Sequence, residues 1–162
     1  IQKILNLKRA WELILDKDVL NSPTSYHLLA YIAGIINEGF YHFGGKIRGV
    51  PVTIGGSTYV PPLPLEMNVR EDIARIVAGP GQPIQKAIDL ALYCMKTQVF
   101  IDGNKRSAII FANHLLIAKG AGLLVVPENK VPEFKDLLIA YYEGRNEHSI
   151  KAFLQKDCWR QF

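Results

Sequence analysis

The chain has little cysteine. Cys94 and Cys158 are the only two in 162 residues, far apart and without metal-ligand spacing. A multi-bridge scaffold and a zinc module are thereby excluded. Cys94 falls in an apolar helical run and reads as a small buried hydrophobe. A reducing compartment without disulfides is the simplest reading, and a single bridge is the alternative. Long apolar runs are also lacking. The most apolar stretch, Ala108 to Val126, is interrupted by Asn113, His114 and Lys119, so no membrane span is expected. No signal peptide is visible, which makes the cytoplasm the default expectation. No basic run is interleaved with aromatics. A net charge of +4 is too weak and dispersed for nucleic acid, although it suits an anionic ligand. Repeats, low-complexity segments and linkers are missing as well, so residues 1–162 are expected to form one domain.

What remains is ordinary globular material, 49% hydrophobic and 21% charged, patterned mainly for helix. Apolar residues recur at helical spacing over Ile4–Leu15, Ser25–Asn37 and Leu65–Val77. Two strongly apolar segments, Ile84–Thr97 and Arg106–Lys119, are expected at the centre. Pro132–Glu143 and His148–Gln155 close the series. Between them, Val50–Ile54 and Ser57–Val60 flank Gly55-Gly56 and predict an exposed β-hairpin, bounded by Pro51 and Pro61-Pro62. The expected fold is mainly α, a helical domain with one small hairpin. Lys46 and Arg48 lie in the glycine-rich loop before the hairpin.

The chemistry gathers in Thr97-Gln98-Val99-Phe100-Ile101-Asp102-Gly103-Asn104-Lys105-Arg106-Ser107-Ala108, which joins the two central helices. Asp-Gly-Asn reverses the chain, because glycine and asparagine tolerate positive φ. A helix starting there directs unpaired N–H groups and its positive dipole end back into the turn. Asp102 offers an oxygen ligand to a hard cation, and Lys105 and Arg106 add positive charge. A magnesium-bound polyphosphate fits that combination. An ordinary turn with a helix cap would use the same residues.

The stretch resembles the signature of the Fic/Doc (Fido) family, His-x-Phe-x-Asp/Glu-Gly-Asn-Gly/Lys-Arg. Phe100, Asp102, Gly103, Asn104, Lys105 and Arg106 match it in order and spacing, whereas Gln98 stands at the catalytic histidine position. The hairpin before it, ending in Pro-Pro, resembles the family's flap, and Gly45-Lys46-Ile47-Arg48 is similar to a family segment that holds the core loops together, which implies structural roles for Lys46 and Arg48. The resemblance covers about residues 25–154 and implies the helical Fido fold. By that resemblance Asp102 holds Mg2+, and Gly103, Asn104 and Lys105 cradle the phosphates of ATP. Arg106 pairs with a phosphate, and the flap residues Thr53, Ile54, Gly55, Gly56, Ser57 and Thr58 dock a target protein by strand addition. AMP, or phosphate in the Doc branch that also carries lysine at position 105, passes to a Tyr, Thr or Ser hydroxyl. Gln98 cannot act as a general base, so impaired activity is expected. A nucleotide- or partner-binding pseudoenzyme is the alternative. AMP-transferring members often have a second arginine where Ile109 stands. No inhibitory helix motif occurs in the expected place, which leaves a separate inhibitory protein as the source of such control. No Ser-His-Asp or zinc pattern competes.

Overall fold

The computed structural model describes residues 1–162. Helices α1 (Gln2–Leu15), α2 (Lys17–Leu20), α3 (Tyr26–Ile36), α4 (Glu66–Ala78), α5 (Pro83–Thr97), α6 (Asn104–Ala118), α7 (Val131–Tyr142) and α8 (Glu147–Asp157) make up most of it. Every helix expected from periodicity is present within a few residues. The four-residue α2 is additional. Asp16 builds it locally, its carboxylate accepting from the N–H groups of Asp18 and Val19 as an N-cap. Proline at the start of α5 and a reciprocal Gln82–Gln85 capping box fix where that helix begins.

The central pair is α5 and α6, with α1 and α3 closing on α6. Ala108, Ile110, Phe111, Ala112, Leu115 and Leu116 of α6 are all buried. Two of its buried polar residues, Asn113 and His114, are satisfied from other parts of the chain. Asn113 donates to the Leu124 carbonyl at 2.7 Å and accepts from the Leu124 N–H at 2.8 Å. His114 lies 2.8 Å from Thr24 Oγ1 through Nδ1 and 2.7 Å from the Val19 carbonyl through Nε2. A carbonyl only accepts, so Nε2 carries the hydrogen in that bond. Both ring nitrogens are committed to the core. Cys94 and Cys158 are free and buried, which removes the single-bridge alternative. Burial pushes the Cys94 thiol far up and the Cys158 thiol to about 11. No helix is long and apolar enough to cross a membrane.

The two-stranded antiparallel element lies elsewhere than the sequence suggested. It pairs β1 (Leu123–Leu124) with β2 (Trp159–Arg160), and Trp159 Nε1 donates to the Ala121 carbonyl. Residues 50–60 make the expected reversal at Gly55-Gly56, with the Ser57 N–H donating to the Ile54 carbonyl at 3.2 Å, but they form no ladder. Turn geometry explains the difference. Only Gly56, the second central residue, has positive φ, at 82°, whereas the turns that match strand twist need it at the first central residue or at both. The arms therefore splay, and their polar groups find other partners.

Those partners are Arg48 and Glu143. Arg48 is 4% exposed. It donates to the Val50 carbonyl at 2.9 Å and the Pro62 carbonyl at 2.8 Å, the two ends of the arch. It also donates to the carbonyls of Thr97 and Gln98 at the end of α5. The structural role expected for Arg48 is thus filled by its guanidinium. Burial holds its pKa below the usual arginine value. Arg48→Met is expected to lower unfolding stability by about 3 kcal/mol, because several buried carbonyls lose their donor together. Arg48→Lys should recover little, since one ammonium cannot span that fork. Urea unfolding of both variants checks this, and a lysine variant as stable as the parent would refute the role of the fork.

Candidate functional site

The loop between α5 and α6 is shaped by side chains that bond inward. Gln98 caps α5 in the left-handed conformation, φ 51°, with its N–H on the Cys94 carbonyl. Its carboxamide is tethered at both ends. Nε2 donates to the Met95 carbonyl at 2.6 Å, and Oε1 accepts from Asn104 Nδ2 at 3.2 Å. Phe100 is fully buried and anchors the loop. Asn104 accepts from the Phe100 N–H at 3.0 Å and donates to the Phe100 carbonyl at 2.9 Å. Its side chain is a loop clamp and leaves only its backbone N–H to meet a ligand.

Gly103 caps α6 at φ 73°. A Cβ there would lie 2.9 Å from Ile36 Cγ2, so glycine is required by conformation and by space. Asn37, at the end of α3, donates to the Asp102 carbonyl at 3.0 Å and the Gly44 carbonyl at 3.2 Å. The turn is thus pinned from α3 as well as from within.

What the loop does not bond is as informative. The N–H groups of Gly103, Asn104, Lys105 and Arg106 have no acceptor in the protein. The first helical bond runs from the Ser107 N–H to the Gly103 carbonyl. The side chains of Asp102, Lys105 and Arg106 form neither hydrogen bonds nor ion pairs, and the buried Ser107 hydroxyl has no partner. Burial, then the neighbouring charge of Lys135, holds the Lys105 ammonium below its ordinary value. Four free amides, one free carboxylate and two free cations therefore occur within five consecutive residues. Such a turn can bind a polyanion with a hard cation. No cluster of three or more His, Cys, Asp or Glu side chains exists. Magnesium suits that economy, because it takes one or two carboxylates and completes its shell with phosphate oxygens and water.

The sequence-predicted residues Gln98 and Asp102–Arg106 come together as one loop. The predicted flap, Thr53–Thr58, is fastened to the end of α7. The Glu143 carboxylate accepts from Ser57 Oγ at 2.8 Å and from the Thr58 N–H at 3.1 Å. Tyr59 stacks on Tyr142 with centroids 6.5 Å apart, and Lys96 sits over Tyr59 and Tyr141 at 5.1 and 5.2 Å. Packing roles for these tyrosines follow. His148 is in the first turn of α8 and lies outside the loop. Asn37 and Glu143 carried no sequence signal as site supports, since each reads as a polar residue at a helix end.

Bonds from Arg145, the Ser57 hydroxyl and the Thr58 N–H hold the Glu143 carboxyl at about 2. A depressed carboxyl stabilises the structure above its ordinary value, and that contribution is lost as pH falls through the folded value. The Thr58 amide proton shift is expected to titrate with a midpoint near 2 and to show no such step in Glu143→Gln. A midpoint in the ordinary carboxylate range would mean that the fastening is not formed in solution.

A family model described as the Fic/DOC family matches residues 23–116. No curated protein matches. Among solved structures, Fic-1 from C. elegans (residues 134–508) superposes with a TM-score of 0.72 at 17% identity, over 95% of this chain and 46% of that one. The chain thus spans less than half the length of that structure, and likeness at this identity bears on the fold alone.

Proposed function

Because the chain belongs to the Fic/DOC family, we propose that it binds ATP with Mg2+ at Asp102–Arg106 and passes AMP or phosphate to a hydroxyl of a target protein. The observation that carries this reading is the set of unpaired groups on one rigid turn: the amides of Gly103 to Arg106 and the side chains of Asp102, Lys105 and Arg106. Asp102 would hold the metal, which supplies charge neutralisation between phosphates. The amides and Arg106 would bind phosphate oxygens, and Lys105 would add charge at the rim. Positioning and charge stabilisation are the main requirements of such transfers.

In the transfer, the target oxygen bonds to the α phosphorus as pyrophosphate leaves, or to the γ phosphorus as ADP leaves. The hydroxyl proton must go to a base. Gln98 occupies the family histidine position, and a carboxamide does not take a proton usefully near neutral pH. A second reading, a nucleotide-binding protein without transfer, is favoured by the tethering of Gln98 between Met95 and Asn104. ATP labelled at the α or the γ phosphate distinguishes the readings and identifies the group that moves.

Asp102→Ala is expected to weaken magnesium-dependent ATP binding about tenfold or more, the worth of one charge-assisted contact. Calorimetry measures it, and equal affinity in both proteins would remove Asp102 from the site. Gln98→His is expected to raise the transfer rate by about 10²–10⁴-fold, the usual worth of a positioned general base. Histidine tolerates the left-handed backbone at this position, and the phosphate contacts belong to other residues, so ATP affinity should hardly change. If the histidine variant stays silent while still binding ATP, the non-enzymatic reading stands.

A further inference from the structure

We propose that Lys135, on α7, is a further phosphate-binding residue of this site, gripping the polyphosphate tail beyond the reach of the signature turn. The inference rests on the nucleotide reading above. A cavity of about 280 Å3 opens beside the start of α6. Lys105 and Arg106 reach it from α6, Lys135 reaches it from α7, and no acidic residue lines it. Apolar side chains such as Trp11, Ile109 and Phe134 make up much of the rest.

None of the three cations has a partner. The ion pairs of the protein involve Arg9, Arg70, Arg75, Lys130, Arg145 and Lys151. Glu133 and Asp136 flank Lys135 in sequence but form no ion pair with it. The nearness of Lys135 also disfavours the charged form of Lys105. Like charges brought to one cavity by two different helices raise the free energy of the empty protein, and a polyanion entering there recovers it. Ile109 is apolar on the same helix face, so α6 supplies no further charge past Arg106. Within this cavity, the positive charge beyond α6 comes from Lys135 of α7.

Chain length of the anion is the discriminating property. On this proposal one phosphate would be served by the α6 amides and Arg106, and the longer triphosphate would be the ligand that also meets Lys135, which lines the same cavity as Arg106. Calorimetry of the full chain with Mg–ATP and with AMP tests this in the parent, Lys135→Ala, Lys135→Arg and Arg106→Ala. The expected result is about tenfold weaker ATP binding in Lys135→Ala, with AMP affinity unchanged and the arginine variant near the parent. Arg106→Ala should weaken both ligands. If Lys135→Ala binds ATP like the parent while Arg106→Ala does not, the role of Lys135 is overturned and the nucleotide site stands. Equal losses for ATP and AMP in Lys135→Ala would also overturn it, because the lysine would then act on a part common to both ligands. Should Arg106→Ala and Asp102→Ala leave ATP affinity untouched, the nucleotide reading fails and takes this inference with it.

Discussion

A single buried guanidinium holds the site side of the molecule together. Arg48 has no carboxylate partner, and a buried charge without compensation is costly. Here compensation comes from carbonyl oxygens, those of Val50 and Pro62 from the arch and those of Thr97 and Gln98 from the end of α5. Carbonyls at a helix C-terminus carry the negative end of its dipole, so they suit a cation better than isolated amides would. The arrangement explains how residues 50–62 keep a defined course without a β-ladder. It also makes the arch and the loop after α5 one mechanical unit, since the same side chain bonds both.

The loop itself divides its polar groups between two tasks. The polar side chains of Gln98 and Asn104 bond inward and fix the backbone. Backbone groups that a capping side chain often satisfies, the amides from Gly103 to Arg106, are left free. An anion site built in this way is set before the ligand arrives, and little ordering entropy is lost on binding. Asn37 and Ile36 of α3 complete the support, one by bonding the Asp102 carbonyl and the other by filling the space a Cβ at position 103 would need.

Much of this was legible in the sequence because it depends on local rules. Helical periodicity located every long helix, and Asp-Gly-Asn located the turn. The signature placed Asp102 to Arg106 in one loop. What was not legible depends on contacts distant in sequence. The β1–β2 pair joins Leu123–Leu124 to Trp159–Arg160, and two-residue strands leave no alternating pattern. The hairpin expectation failed because Gly-Gly permits several turn types. A two-residue window does not say which one tertiary bonds from Arg48 and Glu143 will select. Asn104 reads as a ligand group in isolation, and only the closeness of Phe100 across the turn turns it into a clamp.

The fastening of the arch constrains how a target could dock. Strand addition needs free main-chain donors and acceptors along one edge. Glu143 already holds the Thr58 N–H, and the Ile54 carbonyl is taken by the Ser57 N–H. The N–H groups of Thr53, Ile54, Gly55 and Gly56 have no partner in the protein. A docking segment therefore meets the first arm and the turn more readily than the second arm, unless it displaces a carboxylate that three bonds hold in its charged form. Recognition by main-chain pairing would then be short, a few bonds beside Thr53 to Gly56. Selectivity for a target would have to come from side-chain contacts around the arch, because so short a ladder supplies little sequence preference of its own.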